Sequence, residues 1–332
     1  MHCLAKILIP SLVIVLSCGT GNRTDTSNLY GKPGEVLIVM SDEAWEGSPG
    51  NSCRTLFSRP YEILPQYEPI YDVVHINLGS YRDFFLLHRN ILVASISPDG
   101  TEASMRLQEN TLAPSQLVIS LPAPDDSSFI ELLAGNGETL LALLAHAERQ
   151  RITDANKKNA DLALADKIRS RFGISLAMPM GFQTALDTTD FLWLQKEMNS
   201  VIQGILIYKG RKPELQEDLT VPYLISCRDE LLQQFVSGST PGSYMTTEKE
   251  FAPIATTYSL AGTSDAMEIR GLWRMENGIS MGGPFVSLTR HEDQHPEYIT
   301  VEGFVFAAGA SKRNLMRELE AVISTFTAGF PP

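Results

Sequence analysis

The first eighteen residues decide which solvent the rest of the chain must fold in. Lys6 supplies a positive charge, Ile7 to Leu16 form an apolar run interrupted only by Pro10 and Ser11, and Val15-Leu16-Ser17-Cys18 closes it with a small residue before a cysteine. This is a secretory signal (residues 1–18) ending in a lipobox, with Cys18 as the lipidated N-terminus of the mature protein. The run falls short of the ~20 residues that cross a bilayer, so a permanent transmembrane helix is the weaker reading, and the alternative is a plain signal peptide or a short anchor. Acyl chains on Cys18 would bury methylenes at ~0.8 kcal/mol each and hold the protein to the lipid bilayer. Val15, where Leu is usual, is a small departure from the pattern.

An envelope location changes how the four cysteines are read. Cys3 leaves with the signal and Cys18 carries lipid, which leaves Cys53 and Cys227. They either pair across a very long loop or remain as two buried free thiols, and the distance between their Cα atoms decides. No C-x-x-C occurs, so a thioredoxin-like or zinc-ribbon reading has no support. The net charge of −12 excludes nucleic acid and anionic headgroups as partners, because both require clustered Lys or Arg. No cofactor is expected.

Residues 19–34 are rich in Gly, Asn, Thr and Ser and poor in apolar side chains, which predicts a flexible tether. Strands are then expected at Glu35–Met40, Tyr71–Asn77, Asn90–Ile96, Ser104–Gln108 and Gln116–Ser120, with a loop around Trp45 and a short helix from Ser80 to His88 capped by Ser80. A helix opening at Asp125-Asp126 is expected to break at Gly135-Asn136-Gly137. From Glu138 to Phe172 the period is helical, with a polar stretch at Asp154–Asn159: either one long helix crosses solvent or two helices meet near Thr153. The second half reads as more strands, a helix near Asp218–Val236, an Asn277-Gly278 hairpin turn between the Met267–Met275 and Pro284–Arg290 strands, and a terminal amphipathic helix capped by Ser311. The predicted class is α+β, with two strand-rich lobes of mainly antiparallel sheet, residues 35–137 and 173–327, joined by a helical connector, 138–172.

Several blocks occur in fixed order: Gly34-Glu-Val, Trp45-Glu-Gly, Leu64-Pro-Gln-Tyr-Glu-Pro, Arg89-Asn-Ile-Leu-Val, Phe191-Leu-Trp-Leu, Gln203-Gly-Ile-Leu-Ile-Tyr, Arg270-Gly-Leu-Trp and Met281-Gly-Gly-Pro-Phe-Val-Ser. In these the chain resembles an uncharacterised lipoprotein family of Bacteroidota, a domain of unknown function spanning nearly the whole mature chain. The resemblance implies no catalytic residues. It does imply sorting: surface-exported lipoproteins of that phylum carry acidic residues after the cysteine, whereas Gly19-Thr20-Gly21-Asn22-Arg23 follows here. A periplasm-facing outer-membrane lipoprotein is therefore expected, on analogy.

Trp45, with Arg89 or Arg270 as an anion contact, is the ligand-binding candidate, because pockets combine aromatic walls with a few polar groups. Trp193 and Trp273 are read as strand core. Gly278-Ile-Ser280-Met-Gly282 matches the G-x-S-x-G elbow, but an apolar strand follows where the chemistry needs a helix, and the turn accounts for the glycines. His291-Glu292-Asp293-Gln294-His295 matches H-E-x-x-H, which works on a helix where both histidines share one face. Here it lies between two expected strands, and Pro296 biases His295 away from helix, so it is read as no metal site. The favoured function is non-catalytic binding of an envelope protein, glycan or lipid, or support of assembly. The alternative is an envelope hydrolase, foremost a zinc metalloprotease at His291, Glu292 and His295 with Glu318 or Glu320 as third ligand.

Overall fold

The structure is a computed structural model describing residues 29–99, 102–212, 219–260, 264–291 and 296–328. Cys18 and most of the expected tether lie outside the described residues, as do Glu292 and His295. The described chain forms two compact units, one running to Arg59 and continuing through Pro69–Glu148, the other made of Pro60–Glu68 with the chain from Arg149 onward.

The first unit contains β1 (Glu35–Val39), α1 (Asp42–Glu46), α2 (Ser48–Phe57), β2 (Asp72–Ile76), β3 (Asn90–Ile96), β4 (Arg106–Glu109), β5 (Leu117–Ala123) and most of α3 (Asp126–Lys158). Its sheet has the order β2-β1-β3-β5-β4. β1 runs parallel to β2 and β3, and β3 parallel to β5, so only the β4–β5 pair is antiparallel. The α+β class holds for the chain, but the expectation of a mainly antiparallel sheet is corrected in this unit. The physical reason is visible in the strands: β1, β3 and β5 are apolar on both faces, as parallel strands are, and long connections precede β2 and β3. Val36, Ile38, Met40, Leu92 and Ile119 point to a core closed by α1, α2 and α3. Leu37, Val39, Ile91 and Val118 point the other way, under Tyr81 and Phe85.

That second cover is a pair of 3-10 turns, Leu78–Ser80 and Asp83–Leu87, rather than the expected α-helix. Asp83 has a φ of +54°, which no continuous helix accommodates, and the cap is Asn77, whose side chain accepts from the Ser80 N–H. α3 passes straight through Gly135-Asn136-Gly137, where a break was expected; Gly137 has a packing reason, since a side chain there would press within 3.1 Å of Leu56. α3 is long and apolar enough by length and composition to cross a membrane, yet its Phe129, Leu133, Leu140 and Leu144 are buried in this unit's core. The stretch expected as a connector is thus α3 continuing to Lys158, followed by a separate helix.

In the second unit follow α4 (Leu162–Phe172), β6 (Ile174–Ser175), β7 (Gln183–Asp187), β8 (Phe191–Met198), β9 (Val201–Arg211), α5 (Val221–Phe235), β10 (Tyr244–Thr247), β11 (Ile254–Leu260), β12 (Ser264–Glu276), β13 (Gly282–His291), β14 (Glu297–Ala307), α6 (Arg313–Ile323) and β15 (Thr327–Ala328). The large sheet has the order β10-β12-β13-β14-β9-β8-β7, with β11 also on β12, and every pairing is antiparallel. β6 and β15 pair separately. Strand alternation separates two cores: Leu192, Ile205, Ile207, Val286 and Val301 pack with α4 and α6 on one face, while Phe191, Leu206, Tyr208, Phe285 and Phe304 pack with α5 on the other.

The N-cap position of α6 is Lys312, which offers no side-chain cap of its own. Its cap comes from residues 60–68: the Glu68 carboxylate accepts from the Lys312 N–H at 2.6 Å and the Arg313 N–H at 3.0 Å. A carboxylate there satisfies two orphan donors and complements the helix dipole. Ser311, the expected cap, is displaced from that role. The conspicuous Leu64-Pro-Gln-Tyr-Glu-Pro block thereby acquires a structural reason.

Candidate functional site

The apolar stripe of α5 carries a charge. Leu224, Arg228 and Leu232, spaced one turn apart, are its buried residues, and Thr220 caps the helix through the Tyr223 N–H. Arg228 is 1% exposed and Glu302, in the middle of β14, is 0%. The guanidinium donates twice to that carboxylate, Nε to Oε2 at 2.8 Å and Nη2 to Oε1 at 2.7 Å, while Nη1 donates to the Thr247 hydroxyl at 2.8 Å. Its carbon sits 3.8 Å over the ring of Phe285. Burial disfavours the charge, but the adjacent Glu302 carboxylate outweighs that and holds Arg228 above the ordinary arginine range.

This buried pair fixes what stands above it. Asp229 Oδ1 accepts from both the N–H and the hydroxyl of Thr247, at 2.8 and 2.7 Å, tying β10 to α5. Between these two elements and the segment after β10 opens a groove of about 620 Å³. Its walls mix apolar surface from Val221, Ile225, Tyr244 and Pro253 with the charges of Asp229, Glu230 and Lys249, and among the described residues no His or Cys lines it. An apolar cleft with a few placed polar groups is suited to holding a ligand.

The residues singled out from sequence lie elsewhere and are engaged. Trp45 sits in α1, after the carboxyl end of β1, stacked on His75 at 4.4 Å and covered by the Arg54 guanidinium at 4.4 Å. Arg89 precedes the amino end of the parallel strand β3, at the opposite end of the sheet, and donates to Glu148 at 3.2 Å. The sheet direction alone keeps Trp45 and Arg89 apart. Arg270, in β12 of the other unit, donates to Glu268 at 2.7 Å and to Glu320 at 2.5 Å. Burial opposes its charge, and the Glu320 carboxylate outweighs that and raises its pKa. Tyr61 also donates to Glu320, and burial followed by that carboxylate raises the phenol's pKa.

Trp193 and Trp273 pack in the α5-side core, the latter donating its indole N–H to the Val305 carbonyl at 3.2 Å. Ser280 is exposed in the β12–β13 hairpin and is followed by strand. His291 is the last residue of β13, paired with Tyr298 of β14, so the backbone at the first letter of H-E-x-x-H is strand. Of the downstream acids, Glu318 accepts from Gln203 at 3.0 Å and Glu320 from Arg270 and Tyr61. Among the described residues no three His, Cys, Asp or Glu side chains converge where an ion could sit. Cys53 and Cys227 are free thiols, in different units.

Sequence reasoning did not single out Arg228, Asp229 or Thr247. The signal was available: an arginine on the apolar stripe of a helix and a glutamate inside an apolar strand each demand a buried partner, and each is the other's.

Residues 161–325 match the model of a domain of unknown function (DUF4837), and residues 30–157 match that of a second domain of unknown function (DUF8532). Together the two domains cover most of the chain. No curated protein matches it. Among solved structures, the solution structure of cyanobacterial PsbP (CyanoP) from Synechocystis sp. is similar at a TM-score of 0.29 and 13% identity, covering 47% of this chain and 87% of that one.

Proposed function

We propose that this chain is a lipoprotein of the cell envelope, anchored through Cys18 to the outer membrane and facing the periplasm, that binds an envelope protein or glycan rather than transforming it. The observation that carries the binding reading is the groove along α5 and β10. Its lining residues Asp229 and Thr247 are tied to each other, and Thr247 to the buried Arg228–Glu302 pair, while charged side chains stand beside apolar walls, an arrangement that presents a rigid surface. The signal and lipobox support the location.

Two experiments test it. Radiolabelled palmitate should enter the native chain but not Cys18→Ser, which should leave the membrane fraction; equal labelling of both removes the envelope argument. A photo-crosslinker in place of Ser226, in the groove, should capture the same envelope component in repeated preparations, and Ile225→Asp should reduce capture severalfold. Turnover of a panel of ester, glycan and peptide substrates by the purified protein, abolished by changes in the groove, would overturn the binding reading.

A further inference from the structure

On the helix-free face of the first unit's sheet, aromatic side chains are left in water beside the point where the described chain begins. Tyr30 is 51% exposed, Phe84 52% and Leu78 45%. The rings of Tyr30 and Phe84 meet edge-on at 5.8 Å, and Phe84 lies 4.1 Å from Phe85, which packs on the sheet. The patch is built rather than accidental. The Tyr30 N–H donates to the Leu87 carbonyl and the Arg89 N–H to the Tyr30 carbonyl, both at 3.0 Å. Gly31, at φ +88°, lies so close on the His88 ring that a Cβ would come within 2.3 Å of Nε2. His88 is itself fixed between Glu35 Oε1 at 2.9 Å and the Asn90 carbonyl at 3.0 Å.

We propose that this patch of Tyr30, Phe84 and Phe85 seats on the zwitterionic surface of the bilayer that holds the lipid anchor. The inference rests on the reading of Cys18 as lipidated. Residues 19–29 separate that cysteine from Tyr30, a reach of at most about 40 Å even when fully extended. The anchor thus keeps Tyr30, where this face begins, within about 40 Å of the bilayer surface. Aromatic rings are the side chains that partition to the depth between headgroups and acyl chains, and a tyrosine there keeps its hydroxyl in water. Charge selects among surfaces. Arg82 stands 4.0 Å from Asp83, so their charges offset one another, and a chain of net charge −12 gains nothing from anionic headgroups.

The test uses the full lipidated chain in phosphatidylethanolamine vesicles with brominated acyl chains. Phe84→Trp places a reporter in the patch, against a background from Trp45, Trp193 and Trp273, which lie outside it. At least a two-fold loss of the added fluorescence is expected. In the unaltered protein, hydrogen exchange across residues 78–87 should slow severalfold on vesicles relative to the soluble Cys18→Ser chain. A labelled, vesicle-bound protein with neither quenching nor protection overturns the proposal and leaves the anchor standing. A chain that takes up no lipid and stays off vesicles overturns both. Protection that appears in solution as protein concentration rises assigns the patch to a second copy and overturns it as well.

Discussion

Each unit buries an arginine against a glutamate, and the two pairs are built differently. In the second unit Arg228 and Glu302 are both sealed, and the guanidinium is matched by two parallel donations, a threonine hydroxyl and an aromatic face. In the first, the sealed member is the acid: Glu148 is 1% exposed, while Arg89 keeps a fraction of its surface in water and donates to it through Nη1 at 3.2 Å. Asn90 occupies the other carboxylate oxygen at 2.8 Å. What matters for stability is therefore not that a pair is buried but which charge is stranded when its partner goes.

The sharpest way to break this contrast is Glu302→Ala, which leaves a positive charge inside the α5 interface. A loss of about 3–5 kcal/mol in denaturant unfolding is expected, and the double change Arg228→Met with Glu302→Leu should recover most of it. A mild single variant would mean that the lining of the groove does not depend on the pair. Glu148→Ala strands an arginine that still has access to water, and about 2 kcal/mol is expected from the lost charged hydrogen bonds. If it equals Glu302→Ala, solvent access is not what separates the two sites.

Glu68→Ala tests a charge at a helix end rather than inside a core, where about 1 kcal/mol is expected. Hydrogen exchange should quicken at Lys312 and Arg313 first, while the first unit stays unchanged. The smallest effect contrasts the two thiols. Burial pushes Cys53 up to about 12 despite the opposing charge of Arg54, so at pH 8 it is a protonated, inaccessible thiol. Iodoacetamide should modify the partly exposed Cys227 well before Cys53, and equal rates would show that the first unit opens far more readily than its packing suggests.

The same contrast explains what was legible in the sequence. Elements that bury both faces announced themselves: Glu35–Val39, Asn90–Ile96 and Gly282–His291 lie within a few residues of where apolar periodicity placed them. β10 and β11 did not, because Tyr-Met-Thr-Thr is short and the residues of β11 are largely exposed, so packing left no imprint on them. Strand direction was also hidden, since apolar content tells how many faces are covered and not which neighbour runs alongside. The candidate site failed for a related reason. Trp45, Arg89 and Arg270 stand out as residue types, but His75, Glu148 and Glu320 already occupy them, and those partners lie 30, 59 and 50 residues away in the sequence. The groove was missed because Asp229 and Thr247 in its lining are held by a buried pair, Arg228 and Glu302, each of which looks like an error when read alone.

The Glu68 contact with α6 bears on where this gene can be cut. The carboxylate and the amide it caps are 244 residues apart, and the intervening chain includes most of the first unit. An expression clone starting at residue 161, where the second matched region begins, would carry α6 but not Tyr61, Gln66 or Glu68, and its last helix would open on unsatisfied amides. Supplying residues 60–68 as a separate peptide should restore that end. During synthesis the order is reversed: the cap is made early and waits for a helix translated 244 residues later, so the second unit is completed only after most of the first has been made.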